Sequence, residues 1–159
     1  MNSAGAGAIA ICYLAAAIPA AWAAGETEPR ARPQPGSPIG QWLTEDHGGV
    51  IDIAPCGGAL CGRIVGMSEP VEANGKPKTD NQGRPKCGLT ILHQTVQTEP
   101  GEWAGKITNP DDGSDWNCVL SVDAAGRLHL RGYVLLPVLG QTQIWTPYAG
   151  RIGAECRIG

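Results

Sequence analysis

Between residues 115 and 123 the chain alternates. Trp116, Cys118, Leu120 and Val122 fall on one side, and Asp115, Asn117, Val119 and Ser121 on the other. A period of two marks a β-strand with one buried and one wet face. Residues 127–134 repeat the pattern, with Leu128, Leu130, Gly132 and Val134 set against Arg127, His129, Arg131 and Tyr133, and Asp123-Ala124-Ala125-Gly126 between the two predicts a hairpin. Upstream, residues 102–108 put Trp103, Gly105 and Ile107 on one face, and Asn109-Pro110-Asp111-Asp112-Gly113 then supplies turn chemistry. Further strands are expected at residues 39–44, 50–54, 60–65, 89–96 and 142–148. About eight strands with short connections and no stretch of helical period predict an all-β domain. A single antiparallel up-and-down meander of this size can close into a barrel and so remove its edges. Residues 66–88 are the longest irregular piece and a candidate lid or mouth loop, with Asp80 and Asn81 within it.

The N-terminal pattern differs. Residues 1–23 carry no charged side chain and end in Ala21-Trp22-Ala23. A cleaved signal peptide ending near Ala23 is expected, and with it a periplasmic or secreted location and no stable membrane span after cleavage. The usual basic n-region is missing from Met1-Asn2-Ser3. Residues 24–38, with Pro29, Pro33, Pro35 and Pro38, read as an extended linker that cannot bury apolar surface. The expected domains are thus a leader at 1–23, a linker at 24–38, a barrel at 39–150 and a C-terminal tail at 151–159.

Composition narrows the function. The 159 residues hold 12 Lys and Arg against 15 Asp and Glu, a formal charge of -3 with no basic run, which argues against nucleic acid as a partner. Five cysteines lie beyond the leader: Cys56, Cys61, Cys87, Cys118 and Cys156. In a small exported domain disulfides are their expected use. Cys56 and Cys61 flank a four-residue loop and can face each other across a hairpin. Cys118, on a buried face, is either a small apolar core residue or the partner of Cys156 that ties down the tail; in the second case Cys87 is the odd thiol. His47, His93 and His129 are scattered, so no metal site and no cofactor is expected. No paired carboxylates or nucleophile–base set is evident, and the chain is not expected to be an enzyme. Trp42, Trp103, Trp116 and Trp145 lie on four strands. Together with Tyr133 they are the candidate ligand-binding residues, either plugging the barrel or walling a cavity for a small apolar molecule.

Several runs carry a family resemblance. Gly40-Gln41-Trp42 matches the G-x-W that opens lipocalin-like barrels. Gly49-Val50-Ile51-Asp52-Ile53, Cys61-Gly62-Arg63-Ile64-Val65, Gly101-Glu102-Trp103-Ala104-Gly105-Lys106-Ile107, Asn109-Pro110-Asp111-Asp112-Gly113 and Gly140-Gln141-Thr142-Gln143-Ile144-Trp145 together resemble a family of exported bacterial proteins, domain of unknown function 2147. The resemblance implies a calycin-like barrel in the periplasm and no assigned activity. The reading is a monomeric barrel that binds a small apolar ligand. Its alternative is a fully packed structural or protein-interaction module of the cell envelope.

Overall fold

The computed structural model describes residues 36–159. The leader expected at residues 1–23 and the linker up to residue 35 lie outside the described residues. Pro38, grouped with the linker by composition, is fully buried, and its carbonyl accepts a hydrogen bond from Trp42 Nε1 at 2.8 Å.

Eight strands follow: β1 Gly40–Leu43, β2 Gly49–Cys56, β3 Ala59–Met67, β4 Thr90–Glu99, β5 Glu102–Thr108, β6 Asp115–Val122, β7 Leu128–Tyr133 and β8 Gln141–Pro147. Each pairs antiparallel with the next. β8 returns to β1 through Trp42–Pro147 and Leu43–Thr146, which closes the barrel. The alternation of the sequence sets which side chains enter. Across β5 to β8 the register aligns Trp103 with Leu120, Leu120 with Leu130, and Leu130 with Gln143, one inward row running round the wall. Trp42, Ile53, Leu92, Cys118, Leu120 and Leu128 are fully buried, and each such aliphatic side chain contributes roughly 1.5–3 kcal/mol.

Short hairpins close one end. Gly57 and Gly58 both have positive φ, 55° and 87°, the backbone a two-residue type I′ turn requires, and the Cys56–Cys61 disulfide staples the strands beside it. At the β6–β7 turn Asp123 accepts from the backbone N–H of Ala125 and Arg127, from Arg127 Nε at 2.9 Å, and pairs with His129 Nε2 at 2.9 Å. These contacts, led by the Arg127 backbone N–H and then His129, hold its carboxyl far below the usual carboxylate range. β4 carries a bulge: Gln94 has φ 50°, and the pairing with β5 slips between His93 and Val96.

The second disulfide corrects one expectation. Cys156 pairs with Cys87, and Cys118 is a free, buried thiol. Cys118 lies on the inner face of β6 among the core side chains, whereas the tail runs along the outside of the barrel, so the two cannot meet. The tail bridges β3 at Met67–Arg157, and Ile158 N–H donates to Met67 O at 3.0 Å. A Cβ at Gly66 would stand 3.2 Å from Ile158 and 3.4 Å from Ile152, so the bare Gly66 backbone is what lets the tail seat. Val50 is fully buried yet outside the central core cluster, because it lies beside Gly66 under that tail.

Candidate functional site

The other end of the barrel is open. Four connections meet there: residues 44–48, 68–89, 109–114 and 134–140. Below them a cavity of about 540 Å³ enters the barrel, within the roughly 300–1,000 Å³ range of small-ligand sites. Its apolar wall comes from Ile51 of β2, Ile64 of β3, Ile91 of β4, Ile107 of β5 and Leu130 of β7. Trp145 of β8 and Trp116 of β6 complete it. Trp145 is 2 % exposed and donates Nε1–H to Gln143 Oε1 at 2.8 Å. That bond occupies the Gln143 carbonyl and leaves its amide NH2 as a donor on the cavity wall, with Gln141 beside it. Trp116, 38 % exposed, sits nearer the rim and donates to Ser114 Oγ at 3.1 Å.

Gly132 also lines this space, with nothing within 4 Å of where its Cβ would stand. The narrow part of the barrel contrasts with it: a Cβ on Gly105 would come within 2.5 Å of Thr95 Oγ1 and 2.8 Å of His93 O. The interior is therefore tightly filled in front of Gly105 and open in front of Gly132.

The rim is acidic. Asp46 Oδ1 accepts from Thr44 Oγ1 at 2.7 Å and from Gly48 N–H at 3.0 Å, and these bonds, Thr44 first, lower its pKa. Asp111 is neutralised by an ion pair with Lys86, whose side chain is 13 % exposed. Asp112 is held below its ordinary value by the Ser114 hydroxyl and backbone.

Of the residues singled out from sequence, Trp116 and Trp145 reach the cavity. Trp42 does not: its indole is bonded to Pro38 and fills the closed end. Trp103 packs against the core cluster and lines no part of the cavity. Tyr133 is absent from the lining too, because its register partner is Asn117, one residue out of step with the inward Gly132–Cys118 pair. Asp80 is buried and organises the long loop. Burial works to raise its pKa, but the Arg84 backbone N–H and guanidinium and the Gln82 N–H outweigh it and the net shift is downward. Asn81 ties that loop to the β5–β6 turn, its N–H donating to Pro110 O and its Nδ2 to Asp112 O. The sequence reading missed Gln141, Gln143 and the Lys86–Asp111 pair. Gln141 and Gln143 share the inward face with Trp145, and polar residues on an inward row were the available signal of a cavity. Among the described residues, no group of three or more His, Cys, Asp or Glu is placed to hold a metal ion.

A comparison with curated proteins returns no significant match. Among solved structures, a Helicobacter pylori protein, HP1028, described as belonging to the lipocalin family, superposes with a TM-score of 0.58. It is 15% identical, and the match covers 70% of this chain and 82% of that one; the likeness is one of fold. The family model for an uncharacterized protein conserved in bacteria matches residues 40–147. With its eight-stranded barrel of lipocalin type, the chain belongs to the DUF2147 family.

Proposed function

We propose that this is an exported, non-catalytic barrel that binds a small, largely apolar molecule in the cavity between β7–β8 and the opposite wall. The observation that carries this is the cavity in the open end of the barrel: five aliphatic side chains and two indoles wall it, the Gln141 and Gln143 amides lie on that wall, and Thr44, Asp46, Lys86, Thr108, Asn109 and Asp111 surround its mouth. An apolar wall with polar groups at fixed places is the usual make-up of a small-molecule site. The acidic rim favours a ligand whose polar end is neutral or basic. The alternative of a fully packed structural module requires a filled interior, which the cavity opposes. Periplasmic location follows on this reading from the leader-like residues 1–23 and the two disulfides.

The test is direct. Gly132→Leu starts a side chain on the cavity wall at a point where its Cβ meets nothing within 4 Å. A fluorescent fatty-acyl amide probe, uncharged at its polar end, with the Trp145 emission as second readout, is expected to bind the native protein and to lose at least roughly tenfold in affinity in the variant, a typical consequence of occupying an apolar pocket. Equal binding by both proteins, or native mass spectrometry showing no retained ligand and no probe uptake, refutes the reading.

A further inference from the structure

Two side-chain amides on the cavity have their carbonyls already engaged. Gln143 Oε1 accepts from the Trp145 indole at 2.8 Å, and Asn109 Oδ1 accepts from the Asp111 backbone N–H at 2.9 Å. An indole N–H and a backbone N–H can only donate. Each amide therefore meets its partner oxygen first and turns its NH2 away from it. Among the described residues neither NH2 has a protein partner.

Height separates the two. Asn109 belongs to the turn that follows β5 at the mouth. Gln143 lies two residues into β8, opposite Leu130, which is 4 % exposed and is itself paired with the buried Leu120. That is roughly 7 Å along the strand below the mouth. The acceptors are placed the other way. The Asp46 and Asp111 carboxylates stand in the connections at the mouth, and Thr44 Oγ1 is taken up by Asp46 and the Gly49 backbone. Gln141, at the lip, has no fixed partner and can present either end of its amide. Below the lip the polar group that faces the cavity is a donor.

A ligand group at that depth has to accept a hydrogen bond. It also has to be uncharged. Lys86 is the one cation among the described lining residues, and Asp111 holds it at the mouth. A carboxylate beside Gln143 would lose its water with no counter-ion at hand, which is costly. An ammonium would set N–H against N–H. A hydroxyl accepts, but its own proton meets a Gln143 oxygen that is already taken.

We propose that the cavity selects apolar molecules bearing a neutral carbonyl (ester, amide or ketone), which Gln143 reads by donating its NH2, with Trp145 as the positioning residue that orients it. This rests on the reading of the cavity as a ligand site.

Two fluorescent probes of equal length test it: an alkyl ketone, and its counterpart with CH2 in place of the carbonyl. In the native protein the Gln143 side-chain NH2 resonances are expected to move downfield with the ketone and not with the counterpart. Gln143→Leu keeps an apolar surface and removes the donor. The ratio of ketone to counterpart affinity is expected to fall roughly tenfold, because the bound carbonyl is then left unpaired. Gln143→Glu still accepts from Trp145 but turns a carboxylate oxygen to the cavity. It is expected to lose the ketone by a similar factor and to gain the matching alkylammonium. An unchanged ratio in Gln143→Leu overturns the proposal and leaves the cavity a ligand site. So does a native protein that prefers the alkylammonium or the matching carboxylate to the ketone. Uptake of none of these probes overturns the ligand-site reading and this proposal with it.

Discussion

The two ends of the barrel are built from the same eight strands but treat them differently. At the closed end the connections are short, and Trp42, Ile53, Leu120 and Leu128 leave no space. At the open end one connection spans residues 68–89, another is an apolar tip, and a cavity lies beneath them. Packing and access are separated along the barrel axis: the closed end supplies the packed core, and the open end leaves a cavity and exposed side chains. A rigid base that positions variable loops is a common way for folds to carry sites.

This comparison can be broken at either end. The largest effect is expected at Trp42→Ala, which removes a fully buried indole and its bond to Pro38; a loss of about 3–5 kcal/mol in urea unfolding is expected. Trp116→Ala at the rim should cost less than about 1 kcal/mol in the same experiment, since the ring is partly exposed. Comparable losses would show that the mouth is as much a part of the core as the base. Next in size is Cys87→Ser with Cys156→Ser. It frees the long loop and the tail together and should lower stability by about 2–4 kcal/mol, with proteolysis then expected in residues 68–89 before any strand. A smaller effect is expected at Gly66→Ala. Its new methyl presses on Ile158 and Val50, at a cost of about 1–3 kcal/mol if the barrel holds still and less if the tail lifts; tail amide exchange separates the two. The smallest concerns Asp123 at the closed end. Its folded pKa is depressed, so its contribution is fully present above the unfolded value of about 4 and fades as pH falls toward the folded value. Asp123→Asn should therefore be less stable than the native protein at neutral pH, with the difference shrinking on acidification. A difference that grew in acid would refute the assigned contacts.

Much of the frame was legible beforehand. Period-two alternation marks β6 and β7 because one face of each is buried, and the Cys56–Cys61 staple is local to a hairpin, so spacing alone suggests it. The Cys87–Cys156 bond was not legible. Its ends are 69 residues apart, and the path that brings them together depends on the outer face of β2 and β3. The Trp set shows the same limit. Alternation tells which face a Trp occupies but not its height in the barrel, and height is what makes Trp42 a plug and Trp145 a wall. The tip Val134–Leu139 escaped notice because an apolar run reads as buried, and only the exposure of its side chains shows otherwise.

Cys118 gives the cysteine chemistry an order in time. Sealed in the barrel, its thiol is pushed up to about 12 by burial, so almost no thiolate exists to attack a disulfide. Before the strands close, however, it competes with Cys56, Cys61, Cys87 and Cys156 for pairing. Closing the barrel withdraws Cys118 from that competition and so favours the two bonds the folded protein holds. The barrel thus proofreads its own pairing: the fold removes one wrong reactant, and the oxidant then records what the fold has already decided.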